Sequence, residues 1–433
     1  MEFIMKIAWF KENISPEIGT LIAGYAYNDV SVVKHDDLFM TGLCLDDGKN
    51  KALIISLDIL ALDGFYIRDM RKKCAEILQT SEELIFFSCT HNHSGPETAT
   101  PGVRPENLNK PYLEKLTAKI LDNTAKLKDF KECIVTFYSA QCDVNMNRRY
   151  TTPDNAASFM PHRRELRALA NGFADKELGV VAFLDIENKN PVYIIGNYAA
   201  HPLAGHSPGI GGLRISADFP GFFRDYITHE TGAEAMFITG AAGDMVPRED
   251  EMGIDGARNT GVALAKETIG SVIDIQRNPA RFHLQSPVLG GDIRSFTTPI
   301  RKQYIGKIPP EYAGKNDVTL EIQTLAIGDI CFVGVPGEVC AELGQEIKWH
   351  SPFRRAFIAY YSTADFSYIA PGNFLVSGGY EGLAQQFSAR GSLLLVNTAV
   401  ESMYDLREKI YPSSGDEAYP DYLIHKLVDI PAN

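Results

Sequence analysis

Leu84-Ile-Phe-Phe-Ser-Cys-Thr-His-Asn-His-Ser-Gly-Pro96 runs from an apolar segment straight into two histidines and a Gly-Pro break. Residues 84–88 are apolar or small and suited to β structure, as in a strand covered on both faces, and the Gly-Pro pair stops a helix from following at once. His91 and His93 therefore stand at a strand's mouth. Side chains at i and i+2 of an extended chain share a side, so both imidazoles can face one cavity, as two metal ligands or as a ligand and an acid/base group. The same pair also fits a polar turn in which both rings are merely hydrogen-bonded. A second element shifts the balance. The run 191–199 ends in Asn197-Tyr-Ala-Ala-His-Pro202, again an apolar segment, a histidine and a proline break. His201 beside His91 and His93 makes a metal cluster the better reading.

Outward from these two stretches the chain alternates strand and helix. Apolar runs at 51–60, 132–139, 179–186, 234–239 and 355–361 read as strands, as does the first segment, from Met1 to Phe10. Helical spacing marks 65–79, 113–127, about 256–275 and about 392–409. The strand 234–239 opens into Gly240-Ala-Ala-Gly-Asp-Met-Val-Pro247, a loop of small residues whose backbone can approach a ligand closely and which carries Asp244. Ser216-Ala-Asp-Phe-Pro-Gly221 leads into a helix, with Asp218 as a capping group or a site carboxylate. Residues 281–288 are strand-rich, and 319–335 holds two strands around an Ile-Gly-Asp turn. The second runs into Pro336-Gly-Glu-Val339, where Glu338 is expected to open a helix with its carboxylate favoured by the helix dipole. The segment 145–170 lacks periodicity and reads as a long loop made basic by Arg148, Arg149, Arg163 and Arg164. It is either a solvated surface or a clamp for a substrate. Strand-helix alternation with sites at strand ends argues for an α/β layered fold with a mixed β-sheet, and no linker divides the chain.

Composition excludes several function classes. The chain has 433 residues, 45% hydrophobic and 22% charged, with a formal net charge of −13. No basic run suited to a polyanion interrupts that acidic balance, so nucleic acid and anionic membrane are disfavoured and a small-molecule substrate is favoured. Seven cysteines without a C-x-x-C pair suit a reducing, cytoplasmic compartment and exclude a zinc-cysteine site of the usual spacing. Lys6 interrupts the apolar N-terminus, which reads as a strand and not a signal peptide. No stretch is long and apolar enough for a transmembrane helix. The oligomeric state, monomer or homo-oligomer, is left open.

Six short motifs, taken in order, carry a resemblance. Thr90-His-Asn-His-Ser-Gly-Pro96, Ala200-His-Pro202, Gly243-Asp-Met-Val-Pro247, Pro336-Gly-Glu338, Phe366-Ser-Tyr-Ile369 and Gly379-Tyr-Glu-Gly382 together resemble the signature of the neutral/alkaline, non-lysosomal ceramidase catalytic domain. The resemblance covers essentially the whole chain and implies a single ceramidase-like catalytic domain over 1–433. It implies a Zn²⁺ ion held by His91, His201, Glu338 and Tyr368, with His93 as acid/base group and Tyr380 as hydrogen-bond donor to the reacting carbonyl. Imidazole and carboxylate suit zinc on their own chemistry. Two departures stand out. The family's nucleophilic serine corresponds to Val246, which has no hydroxyl, and the chain lacks the residues for the family's C-terminal β-sandwich domain.

The resulting expectation is a zinc-dependent hydrolase acting on an amide, a non-peptide C–N bond, or on an ester of a small polar substrate. Metal-activated water replaces the serine, and His93, Tyr380 and Asp244 are the catalytic candidates. The alternatives are a metal-dependent lyase, isomerase or glycoside-processing enzyme, with Arg148 and Arg149 gripping a polar or acidic substrate, and a non-catalytic zinc-binding relative that senses a ligand.

Overall fold

The computed structural model describes residues 4–24, 29–99, 107–151, 170–203, 213–248, 253–277, 288–305, 308 and 312–412, together with the backbone of 156–158. Arg163, Arg164 and all but the last residue of the expected strand at 281–288 lie outside the described residues. An eight-stranded mixed sheet runs in the order Glu234–Thr239, Pro191–Tyr198, Glu177–Asp185, Lys131–Gln141, Ile4–Asn13, Phe39–Asp46, Lys51–Leu57, Ile85–Cys89. Only its two outermost pairs are parallel. A second sheet of four strands, Leu289–Pro299, Asp317–Ile327, Ile330–Gly334 and Arg355–Ala359, ends likewise in one parallel pair.

Alternating side chains divide the core into layers. Ile54, Phe86, Val181, Phe183, Ile195 and Ile238 on one face of the large sheet pack against Leu325, Phe332 and Phe357 of the small one. The opposite face carries Leu53, Ile55 and Phe87 against the helices Gly64–Leu78 and Lys110–Ala125. Further along that face, Val180, Ala182, Ile194 and Phe237 meet the helices Asp218–Thr231 and Ile254–Arg277. The small sheet turns its outer face to Ala341–Trp349 and Ala389–Ile410. The result is a helix–sheet–sheet–helix stack. Ile85–Cys89 is an edge strand and yet buried at every residue, because Phe86 enters the inter-sheet layer and Phe87 the helix layer. Each phenyl ring buried in this way contributes about 1.5–3 kcal/mol.

Most strands and helices match the sequence pattern to within a few residues, and four places differ. Glu338 does not open a helix. It lies in the two-residue strand Glu338–Val339, which pairs with Tyr368–Ile369, and the helix starts only at Ala341. The segment 145–170 is not all loop, since Asn145–Asn147 pairs with Met245–Pro247, and Arg149–Thr151 with Ala156–Ser158. Phe39–Asp46 and Leu289–Pro299 are long strands without a clear period-2 signature in the chain.

The large sheet curls until the ends of its two edge strands meet. Thr239 Oγ1 donates to Thr90 O at 2.8 Å, and Ser56 Oγ to Phe237 O at 2.7 Å. The small sheet joins at the same point, where Tyr360 N donates to Thr239 O at 2.9 Å and Ser88 Oγ to Tyr360 O at 3.1 Å. Asn197 Nδ2 bridges Ile238 O and Ile358 O at 3.0 and 2.8 Å. The carboxyl ends of the three parallel pairs thus open on one locus, the usual place for a site in a sheet of this kind. Asn197 is buried, so Asn197→Ala leaves carbonyls of both sheets without this donor. A loss of about 2–4 kcal/mol is expected from two such bonds, measured as the shift in a urea unfolding midpoint. A shift under about 0.5 kcal/mol, the ordinary range of a surface substitution, would show that the bridge is not holding the sheets together.

Candidate metal centre

Three strand ends at this junction deliver four functional side chains. His91 and His93 follow Ile85–Cys89, His201 follows Pro191–Tyr198, and Glu338 follows Ile330–Gly334. The three histidines are buried, and their ligand atoms all lie within 4.8 Å of one another. His91 Nδ1 is 3.1 Å from Leu60 O, and His201 Nδ1 is 2.6 Å from Ala242 O. A carbonyl can only accept, so the proton of each neutral ring sits on Nδ1 and Nε2 presents a lone pair. Glu338 Oε2 faces these two Nε2 atoms at 3.7 Å from His91 and 3.0 Å from His201.

Electrostatics keeps these groups in their donor forms. Burial pushes the His91 imidazole down to about 3 against the opposing pull of Glu338, so the ring is neutral at ordinary pH. Burial alone would raise the Glu338 carboxyl, but His91 and His201 beside it outweigh that effect and hold the group ionised. Three electron-pair donors therefore point at one another with no proton between them, an arrangement that a divalent cation satisfies. The residues fit a zinc ion. Both histidines also have the carbonyl partner on the far nitrogen that fixes ring orientation in metal sites.

Tyr368 pairs with Glu338 across the short strand bridge, and its hydroxyl, within hydrogen-bonding reach of that carboxylate, accepts from Arg148 Nη2 at 3.0 Å. The structure thus brings His91, His201, Glu338 and Tyr368 together. His93 belongs to the same group, with its Nε2 3.1 Å from His91 Nε2. Tyr380 stands at the rim, 55% exposed, its ring 5.1 Å from that of Tyr368.

Other predicted residues have partners of their own. Arg148 Nε and Arg149 Nη1 both reach the fully buried Glu381, at 2.8 and 3.0 Å. Arg148 also donates to Gly243 O, and Arg149 to Gly378 O. Both guanidinium groups are thus buried, sharing one carboxylate and donating to backbone carbonyls inside the protein. Asp244 Oδ1 accepts from Ala341 N at 2.8 Å, at the start of the Ala341–Trp349 helix, and Oδ2 accepts from Asn147 at 2.6 Å. The dipole partner expected of Glu338 is therefore Asp244. The small-residue loop does make a close backbone approach, but to its own chain: a Cβ on Gly243 would lie 2.6 Å from Glu338 O. Val246 is fully buried against Met146 and Leu203.

Four residues of this region went unread in the sequence. Tyr361 donates to Glu338 Oε1 at 3.0 Å and Tyr360 to Oε2 at 3.3 Å. The signal was available, since both stand at the mouth of an apolar strand, as the histidines do. Glu381 and Asp365 gave none, because the charges they face, Arg148 and Arg149 for the first and Asp63 for the second, are remote in sequence. Burial, and then the neighbouring Asp63, pushes the Asp365 carboxyl up to about 8. Its proton is therefore held more tightly in the folded chain than at its ordinary value of 3.8, and its contribution to stability is lost as pH rises from about 4 to 8. Asp365→Asn should flatten the pH dependence of the melting temperature over that window. An unchanged profile would show that Asp365 ionises freely in the native protein.

No protein-family model and no curated protein matches this chain. Solved structures do. It is similar to the neutral ceramidase from Pseudomonas aeruginosa, with a TM-score of 0.74 and 16% identity over 94% of this chain and 75% of that one. A ceramidase complexed with C2 gives a TM-score of 0.74 and 15% identity over 94% and 76%. At this identity the likeness concerns architecture, and on that ground the chain has the neutral ceramidase fold.

Proposed function

We propose that this chain is a zinc-dependent hydrolase cleaving an amide or ester bond of a small substrate. The observation that supports it is the convergence of the His91 and His201 lone pairs on the Glu338 carboxylate, within a fold shared with ceramidases. His91, His201 and Glu338 would hold the ion, with Tyr368 as a fourth donor, and the bound ion supplies Lewis-acid activation. The protein's residues supply the rest. His93, less tightly buried than His91 and His201, takes the proton of the attacking water and returns it to the leaving nitrogen or oxygen. Tyr380, on the exposed rim, donates to the oxygen on which negative charge develops. We assign Asp244 a positioning part, because its oxygens already tie the Ala341–Trp349 helix to Asn147. Arg148 steadies Tyr368 from behind, and Arg149 buttresses Glu381.

The nucleophile in this proposal is water. Val246 has no hydroxyl, and Ser216 Oγ is already engaged with Asp36 and with Asp218 N. Ser94 is fully buried. Turnover in heavy-oxygen water should therefore label the acid product without a burst, and no acyl group should be found on the protein by mass spectrometry. An acyl adduct on Ser94 or Ser216 would replace water with a displaced serine.

A second reading concerns His93. Its place within the three-histidine group allows it to be a ligand in the stead of Tyr368. His93→Ala protein should keep its zinc and lose at least ~100-fold in turnover, the usual worth of a general acid/base. Loss of zinc in that variant, measured by elemental analysis, would make His93 a ligand. His91→Ala and Glu338→Ala should lose both metal and turnover. Zinc binding without turnover of any acyl amide or ester would favour a ligand sensor instead.

A further inference from the structure

Tyr360 and Tyr361 are neighbours in sequence, yet their hydroxyls donate to the two oxygens of one carboxylate, Glu338. Consecutive side chains of an extended strand point to opposite faces. Here the backbone departs from the strand directly after Arg355–Ala359, and Tyr361 adopts a φ of 44°, in the left-handed region that a bulky L-residue rarely enters. That turn brings the second ring round to the same side as the first. Among the described residues seven non-glycines have positive φ, and three of them, His91, Tyr361 and Ser367, belong to this centre or adjoin it. Strain gathered at one place points to a function for the conformation it produces.

The conformation does two things at once. The Tyr361 ring stacks on His91, with centroids 4.5 Å apart and planes 9° from parallel, while its hydroxyl holds Glu338 Oε1 at 3.0 Å. Tyr360 is edge-on to both His91 and His201, at 5.3 and 6.0 Å. His91 hangs from the large sheet and Glu338 from the small one, so their separation is set by the packing of two sheets. Productive metal geometry tolerates much less freedom than such packing leaves. A single buried side chain touching a donor on each sheet removes that freedom.

We propose that Tyr361 is the positioning residue of this centre, locking the ring plane of His91 and the rotamer of Glu338 into one geometry before a metal ion arrives. The inference rests on the metal reading of the site. It assigns Tyr361 no contact with substrate and no step in the chemistry.

The test uses the full chain, stripped with a chelator and titrated with Zn²⁺ against a competing indicator. Tyr361→Phe keeps the ring on His91 and removes only the hydroxyl. It should weaken zinc binding by ~10–100-fold, the usual effect of losing a partner behind a ligand, while the metal-free protein still folds cooperatively, its melting temperature lowered by no more than the few degrees that one lost hydrogen bond costs. Tyr361→Leu, which loses the stack as well, should bind more weakly again. In cobalt-substituted protein the visible absorption bands, which report ligand geometry, should shift in Tyr361→Phe. Parent-like zinc affinity and parent-like cobalt bands in Tyr361→Phe would overturn this inference alone. A parent protein that takes up no zinc would overturn the metal reading, and this inference with it.

Discussion

Thr239 is where three strand ends are tied together, and the centre depends on that knot. Its hydroxyl donates to Thr90 O beside His91, and its carbonyl accepts from Tyr360 N at the end of the small sheet. Its own strand continues into the Gly240–Asp244 turn, whose Ala242 carbonyl orients His201. Without the knot the large sheet would be an open surface with edges far apart, and histidines at strands of opposite edges could not share a cavity. Hydrogen bonds of this kind are individually worth about 1 kcal/mol in net terms, but leaving them unmade in a buried setting costs more than their presence gains. The curled arrangement is therefore firmly specified once the layers have packed.

Burial then decides the chemistry. In water two imidazoles and a carboxylate would share protons freely. Here the rings have their Nδ1 protons committed to Leu60 and Ala242 carbonyls, and the carboxylate keeps its charge against burial. The remaining lone pairs face inward. Around them a second tier of paired charges, Arg148 and Arg149 with Glu381, carries buried cations that would otherwise be costly. That pairing joins Tyr368 to the glycine turn before Tyr380, so the inner donors and the exposed rim are parts of one hydrogen-bonded assembly.

Much of this was legible in the chain because local pattern and local structure agree. The strands at 51–57, 85–89, 191–198 and 234–239 are apolar runs with clear stops, and the helices at 64–78, 254–277 and 389–410 have helical spacing. The histidines were found because each interrupts an apolar run at its end. What escaped was non-local. Phe39–Asp46 is a strand through its two neighbours in the sheet, not through alternation of its own residues. Glu338 looked like a helix opener because Pro-Gly-Glu precedes an apolar helix, but its pairing with Tyr368 comes from thirty residues away. Arg148 and Arg149 read as surface charge or as a substrate clamp because nothing near them in sequence neutralises them, and Glu381 lies far down the chain. The left-handed turn at Tyr361 has no sequence signature, since no glycine or asparagine marks it.

The central claim is that one metal ion sits among His91, His201 and Glu338. Anomalous diffraction from crystals of zinc-loaded protein, recorded on both sides of the zinc absorption edge, tests it directly. The account predicts one strong peak per chain that appears only above the edge, bounded by the two Nε2 atoms and the Glu338 carboxylate. A peak elsewhere, or none at this position in zinc-loaded crystals, would contradict it.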